Sequence, residues 1–294
     1  MSDRANTVGI WVGVRSDDAA AWASSDHGAR AIEDLGYASL WIPGGFASRL
    51  APTFDEALAA TSSLPVASGI LSIFHSDPAE AAAKTAALNT ASGGRFTLGL
   101  GTSHAPSVER AGLSYDKPYS TMVAYLDALA ASDHPVPREH LMLAALGPKM
   151  LELAAERTAG AHPYFVPVEH TAFARDLIGD QPRIATEIAV VLESDPDAAR
   201  ALARTHTNGY LTLPNYTNNL RRFGWADDDL SAHDGTGSDA LVDAIVAWGP
   251  PEAIAARVRE HHEAGADEVL LQVIAADPSA RGAVYRELAP VLLP

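Results

Sequence analysis

Glycine-rich strand exits, a Gly-Pro-Lys step and a few histidines are where this sequence could carry chemistry. The segment Leu98-Gly99-Leu100-Gly101-Thr102-Ser103-His104 closes an apolar run. Its glycines allow close backbone approach, and its N–H groups and two hydroxyls could hold an anion or a cofactor edge. A tight turn capped by Thr102 or Ser103 is the plainer alternative. Ala145-Leu146-Gly147-Pro148-Lys149 reads as a helix start, where free N–H groups and the positive dipole end attract phosphate. There Lys149 either faces an anion or points to solvent. Gly69-Ile70-Leu71-Ser72 interrupts a third apolar run, as expected of a bulge, a ligand approach or relief of crowding. His75 follows, a candidate acid or donor if it is not simply solvated.

Other chemistries find no support. The sequence has no cysteine, so thiolate nucleophiles, thiolate metal sites and disulfides are excluded. No H-x-H, H-E-x-x-H, G-x-S-x-G or Walker-type loop occurs, and His162 and His170 lack companions for a three-ligand metal site. His261 and His262 are expected on a solvated helix face. Glu187 lies on an apolar strand as a buried polar group with no assigned role. The balance of 21 Lys and Arg against 37 Asp and Glu, net −16, argues against nucleic acid. With no signal-like or membrane-spanning apolar run, the expectation is a soluble cytoplasmic protein with no membrane partner.

The elements that must position these residues follow from periodicity. Eight apolar runs alternate with alanine-rich amphipathic stretches: 7–14, 39–43, 66–74, 96–100, 140–146, 161–166, 183–192 and 268–274. Helices are expected from Asp17 or Asp18 to Leu35, over 54–62, from Asp77-Pro78 to Ala91, over 148–157 and 169–177, from Asp195 onward, and over 251–264 and 279–288. Continuous apolar strands in βα alternation imply a parallel sheet covered on both faces. Eight units suggest a single (β/α)8 barrel domain over 1–294, with an open doubly wound sheet as the alternative. The stretches 107–137 and 209–248 read as insertions after strand four and around strand seven. Chemistry in a barrel gathers at the C-terminal strand ends.

At these positions the chain resembles the bacterial luciferase-like superfamily of flavin- and deazaflavin-dependent oxidoreductases. The resemblance is carried by EDLGYASLW at 33–41, ASGGRFTLGLG at 91–101, LAALGPKMLELAAER at 143–157 followed by Gly160-Ala161-His162, and AWGPPEAI at 247–254 leading to Gly265-Ala266-Asp267. It looks nearest to the branch using coenzyme F420, with FMN as the alternative cofactor. The resemblance implies a non-prolyl cis peptide at Gly69-Ile70, beside Leu71, in a bulge supporting the ring. It also implies that Gly101, Thr102 and Ser103 approach the ribityl and phosphate portion, and that Leu146 and Gly147 contact the phosphate.

The chain departs from the family pattern after strand two. Many relatives carry an acidic residue or an Asp-His pair there, whereas this chain has Gly44-Gly45 followed by Phe46. The remaining candidates for proton transfer are His104, which stands where some relatives carry a glutamate, and His75. Trp11, Trp41, Phe46 and Leu71 are expected to wall the ring and exclude water. The expected activity is hydride transfer between deazaflavin and a small organic substrate. An FMN monooxygenase, a non-catalytic cofactor-binding protein and a cofactor-free lyase are the other readings. The resemblance also implies a homodimer.

Overall fold

Short apolar strands can be buried on both faces only under a layer of helices, and the chain achieves this by closing its sheet. The computed structural model describes residues 6–14, 18–44 and 50–293. Its parallel strands are β1 (Thr7–Trp11), β2 (Leu40–Ile42), β3 (Val66–Ser68), β4 (Leu71–Ser72), β5 (Phe96–Gly101), β6 (Leu141–Ala144), β7 (Gly160–His162), β8 (Arg183–Val191), β9 (Val246–Trp248) and β10 (Glu268–Val273). The ring runs β10-β1-β2-β3-β5-β6-β7-β8, with β4 prolonging β3 beside β5 and β8 pairing back to β10. β3 and β4 together fill one position, so this is a closed eight-strand (β/α)8 barrel. Closure places Thr7 opposite Glu268, and Glu268 opposite Ala185.

All eight expected runs became ring strands, with two instructive differences. The run over 66–74 is divided at Gly69-Ile70, which is a cis peptide bond. Ser68 Oγ stitches the division to β5, donating to Gly99 O at 2.9 Å and accepting from Gly99 N at 2.8 Å. The short strand β9 was not anticipated. It lies outside the ring on the C-terminal end of β8, with Val246 opposite Ala189. Three residues inside a polar stretch are too few for a period to emerge.

The helices are α1 (Ala19–Ala23), α2 (Ala29–Asp34), α3 (Leu50–Ala60), α4 (Pro78–Ser92), α5 (Ala105–Arg110), α6 (Pro118–Ala130), α7 (Pro148–Arg157), α8 (Val168–Ile178), α9 (Pro196–Tyr210), α10 (Pro214–Arg222), α11 (Asp227–Gly235), α12 (Asp239–Ile245), α13 (Pro251–Glu263) and α14 (Arg281–Leu292). Their boundaries follow local chemistry. Asp77 caps α4 by accepting from Ala79 N and Glu80 N, and Gly93 ends it at φ 70°. Asp195 caps α9 through Ala198 N at 2.9 Å. The single helix expected before Leu35 is instead two, α1 and α2. At Gly28 a Cβ would lie 1.7 Å from the Trp22 carbonyl oxygen, so the chain folds back on itself there.

Helix α6 packs against α4 and α7, covering the β5–β6 step like any crossover helix. The extra chain in that connection is therefore concentrated around α5 and the loop after it. The 209–248 stretch forms α10, α11, α12 and β9. One apolar cluster joins Trp11, Trp41, Tyr164 and Phe165 at the C-terminal strand ends to Tyr216 and Leu220 of α10. The N-terminal end is closed differently, by Arg175–Asp267 and Arg183–Glu268 ion pairs, both at 2.7 Å. Among the described residues no helix is long and apolar enough to cross a membrane.

Candidate active site at the C-terminal mouth

A cavity of about 410 Å³ opens at the C-terminal strand ends, roofed by α10. Trp11, Gly69, Ile70, Gly101, Thr102, Ser103, His104, Leu146 and Gly147 all line it. The barrel thus brings together nine residues expected at the site from four separate strand exits. The glycines are set by close approach. A Cβ on Gly69 would lie 2.5 Å from Trp11 Nε1, and one on Gly101 would lie 2.6 Å from Ile70 Cδ1.

The outer end is built to receive an anion. Helix α7 starts at Gly147 in extended conformation with no side-chain cap, so its first N–H groups have no side-chain acceptor. His170 donates from Nε2 to Leu146 O at 2.9 Å, which fixes the plane of the Leu146–Gly147 peptide. In a trans peptide the Gly147 N–H points opposite to that carbonyl, away from His170. Arg222 on α10 stands beside Gly147, about 4 Å from where a Cβ would be. It donates to Asn219 Oδ1 at 3.3 Å and has no carboxylate partner among the described residues. Asn219 is buried, and its Nδ2 has no hydrogen-bond partner among the described residues. Lys149, by contrast, is solvent-exposed and does not line the cavity. The cation at this end comes from the 209–248 stretch.

The inner end is aromatic. Trp11 packs on Tyr164 at 5.3 Å between ring centroids, and Trp41 packs on His162 at 4.5 Å with the ring planes tilted by 34°. Tyr164 donates to Gln272 Oε1 at 2.6 Å and meets the Tyr210 hydroxyl at 2.7 Å. Burial pushes the Tyr210 phenol up to about 12, and it also raises the Tyr164 and Tyr216 phenols well above the ordinary range. Burial also holds His162 and His170 down to about 4, so both are neutral near pH 7. Glu187, buried behind this wall, is raised to about 8 by the same effect, and its Oε2 accepts from Phe165 N at 3.1 Å.

Several expected residues fall elsewhere. His104 does line the cavity, where it precedes α5, donates from Nδ1 toward Asn215 Oδ1 at 3.3 Å and packs on Tyr216. Burial lowers its pKa. His75 lies off the cavity wall, its Nδ1 bonded to Ser72 Oγ at 2.7 Å. Leu71 and Trp41 are buried behind the lining, and Phe46 is outside the described residues. Gly44 packs on the bulge, where a Cβ would lie 2.7 Å from Leu71 N. His261, expected in solvent, is 1% exposed and bonded through Nδ1 to Thr171 Oγ1 at 2.9 Å. It faces the α8–α13 contact, where its ring replaces an apolar core residue.

Sequence reasoning missed His162, Tyr164, Tyr210, Tyr216, Asn219 and Arg222 as lining residues. One signal was available. Asn215, Asn219 and Arg222 stand at i, i+4 and i+7, so a helix there presents one polar face.

Among the described residues no group of three or more His, Asp or Glu could hold a metal ion. The lining does fit a flat ring with an anionic tail. Glycine-bared backbone and apolar walls occupy one end, and uncapped N–H groups, a buried amide donor and a guanidinium with no carboxylate partner among the described residues occupy the other.

The comparisons with known proteins agree with this architecture. The chain is 25% identical over 300 residues to the 5,10-methylenetetrahydromethanopterin reductase of Methanolobus tindarius, covering 86% of this chain and 89% of the relative. The reductase of the same name from Archaeoglobus fulgidus is 24% identical, with 84% and 87% covered. The structure of the coenzyme F420-dependent tetrahydromethanopterin reductase from Methanopyrus kandleri superposes with a TM-score of 0.75 at 17% identity, over 98% of this chain and 100% of that one. An F420-dependent secondary alcohol dehydrogenase superposes at 0.74 and 16% identity, over 99% and 100%. The family model for luciferase-like monooxygenases matches residues 8–132 and 124–268. These matches span most of the chain, which therefore belongs to the luciferase-like monooxygenase family of oxidoreductases.

Proposed function

We propose that the protein is a coenzyme F420-dependent oxidoreductase that moves a hydride between the deazaflavin and a small organic substrate. The observation that carries this reading is the two-ended cavity, apolar and glycine-lined within, anion-receiving without. The relatives named as F420-dependent enzymes or reductases of a pterin substrate support it. When bound, the deazaflavin supplies the hydride chemistry that side chains alone cannot perform.

The chain's own residues have distinct tasks. Gly147 N–H, Asn219 Nδ2 and Arg222 hold the phosphate of the tail, with Leu146 oriented by His170. Gly69, Ile70 and Gly101 let the ring lie against backbone. Trp11 and Tyr164 exclude water from the reacting face, which strengthens every polar contact made there. Of the two histidines expected to move a proton, His104 is the one on the cavity wall, and its place near the mouth suits exchange with solvent.

Parallel titration of purified protein with F420 and with FMN, followed by fluorescence and calorimetry, tests the assignment. Selective F420 binding is the expected result. Preference for FMN would redirect the reading to oxygen chemistry, and binding of neither to folded protein would overturn it.

A further inference from the structure

Glu187 is a carboxyl buried beneath the aromatic wall, 1% exposed. It alternates along β8 with Ala185 and Ala189, which belong to the apolar cluster of the C-terminal mouth, so it shares their face of the strand. Its backbone N donates to Pro163 O at 3.0 Å, and its Oε2 accepts from Phe165 N at 3.1 Å. One residue thus clamps both sides of the turn that follows β7. The turn needs holding, because Phe165 stands at φ 58°, a conformation that bulky L-residues seldom adopt. Oε1 has no hydrogen-bond partner among the described residues.

This turn seats the roof of the cavity. Phe165 stacks on Tyr210 of α9 at 5.0 Å between centroids and meets Tyr216 of α10 edge-on at 5.4 Å. Tyr164 meets the Tyr210 hydroxyl at 2.7 Å. Tyr216 shares α10 with Asn219 and Arg222, which line the outer end of the cavity. Contact therefore runs from Glu187 through Phe165 and Tyr216 to the helix that carries the anion-receiving groups.

The titratable groups around the carboxyl are neutral near pH 7. Tyr164, Tyr210 and Tyr216 are phenols raised by burial, and each feels Glu187 electrostatically. His162 of β7 packs on Tyr164 and His206 of α9 packs on Phe165, and burial holds both imidazoles down to about 4. From β10, Leu270 stands opposite Glu187 in register. Among the described residues no cation offsets a charge at this point, and burial raises the carboxyl to about 8. Oε2 is engaged by Phe165 N, so the proton resides on Oε1. Its loss leaves a charge on Oε1 that meets no donor and must be reached by water. The strands beneath are locked by their ladder hydrogen bonds, so the turn and α10 are the side that yields.

We propose that Glu187 is a positioning residue for the anionic tail of the cofactor, seating α10 over the cavity while it keeps its proton and releasing the helix when the proton leaves. The tail's identity rests on the deazaflavin reading, whereas the latch itself does not. A cofactor gripped by the seated helix binds the form with neutral Glu187. Affinity therefore falls as the pH rises through the folded value of about 8.

The test uses the full-length wild type, Glu187→Gln and Glu187→Met, with circular dichroism at each pH as the check on folding. Glutamine keeps an acceptor for Phe165 N–H and cannot ionise. Methionine has neither property. F420 Kd is measured by fluorescence at pH 7 and pH 9. The wild-type Kd divided by that of Glu187→Gln, a ratio that cancels the cofactor's own titrations, is expected to rise about tenfold over this interval. Glu187→Met is expected to bind about tenfold more weakly than Glu187→Gln at both pH values, because Phe165 N–H is left without an acceptor. Without any cofactor, hydrogen–deuterium exchange over residues 210–222 is referred to the unstructured rate at each pH. Protection there is expected to fall between pH 7 and pH 9 in the wild type and to hold in Glu187→Gln, while residues 141–144 stay protected in both. A Kd ratio that does not rise, or wild-type protection over 210–222 unchanged at pH 9, overturns the proposal. Failure of the wild type to bind F420 at pH 7 overturns the cofactor reading instead, and the exchange profile still decides whether the latch exists.

Discussion

Lowering the pH from 7 to 5 is expected to remove about 5 kcal/mol from the stability of the fold, and five buried groups supply the arithmetic. Burial holds His162, His170 and His206 at about 4 and His261 at about 3, against 6.5 for a free imidazole. For a group whose folded pKa is depressed, the unfolded chain takes up the proton first, so stability falls as the pH drops below 6.5. With about 1.4 kcal/mol per pH unit for each proton, every one of these histidines costs about 2 kcal/mol between pH 7 and 5. Glu187 acts in the opposite sense. Its folded pKa of about 8 lies above the ordinary 4.5, so its contribution grows as the pH falls from 8 toward 4.5. It returns about 2–3 kcal/mol over the same interval, leaving a net loss of about 5 kcal/mol. That is a large share of the roughly 5–15 kcal/mol typical of a folded domain. The assay is urea unfolding followed by circular dichroism at half-unit pH steps. His261→Gln, remote from the cavity, is expected to lower the pH-dependence by about 2 kcal/mol, and Glu187→Gln to steepen it. A stability profile flat between pH 7 and 5, or one unaltered by His261→Gln, would refute the reasoning.

Three further outcomes can be checked separately. Arg222→Ala is expected to weaken F420 binding about tenfold with a reduced salt dependence, because a charge-assisted contact at the mouth is lost; isothermal titration at two ionic strengths reads this. Gly99→Ala would place a Cβ 2.0 Å from the Ser68 carbonyl oxygen, which is expected to destabilise the barrel by about 1–3 kcal/mol or more in chemical unfolding. His104→Ala removes the bond to Asn215 at the mouth, and stopped-flow with F420 is expected to show slower turnover with affinity nearly unchanged.

The ring was legible because its signal is periodic. Each apolar run that feeds a barrel strand is bounded by a cap or glycine, as Asp77, Gly93 and Asp195 illustrate. The strand exits at Gly69 and Gly101 were legible for a related reason, since the close approach of Trp11 and Ile70 there leaves no room for a side chain. Contacts across the barrel axis leave no such trace. Nothing local to His162 says that its ring meets Trp41 from β2, and nothing in the Glu260-His261-His262 run says which histidine faces the core. The supply of a cation from α10 rather than from Lys149 is of the same kind. It depends on how a helix from the 209–248 stretch comes to rest over another strand's exit, which no short-range pattern encodes.

The approach of Gly44 to the bulge bears on how this scaffold can change. Gly44 N donates to Ile70 O at 3.2 Å, and a methyl group there would lie within 3 Å of three backbone atoms of Ile70 and Leu71. No single substitution at 44 can introduce an ionisable side chain without first displacing the Ile70–Leu71 backbone. Directed evolution toward new acid–base chemistry would therefore do better to begin at other strand exits. A position held by glycine for this reason is closed to stepwise change, and any path to a side chain there runs through several simultaneous replacements.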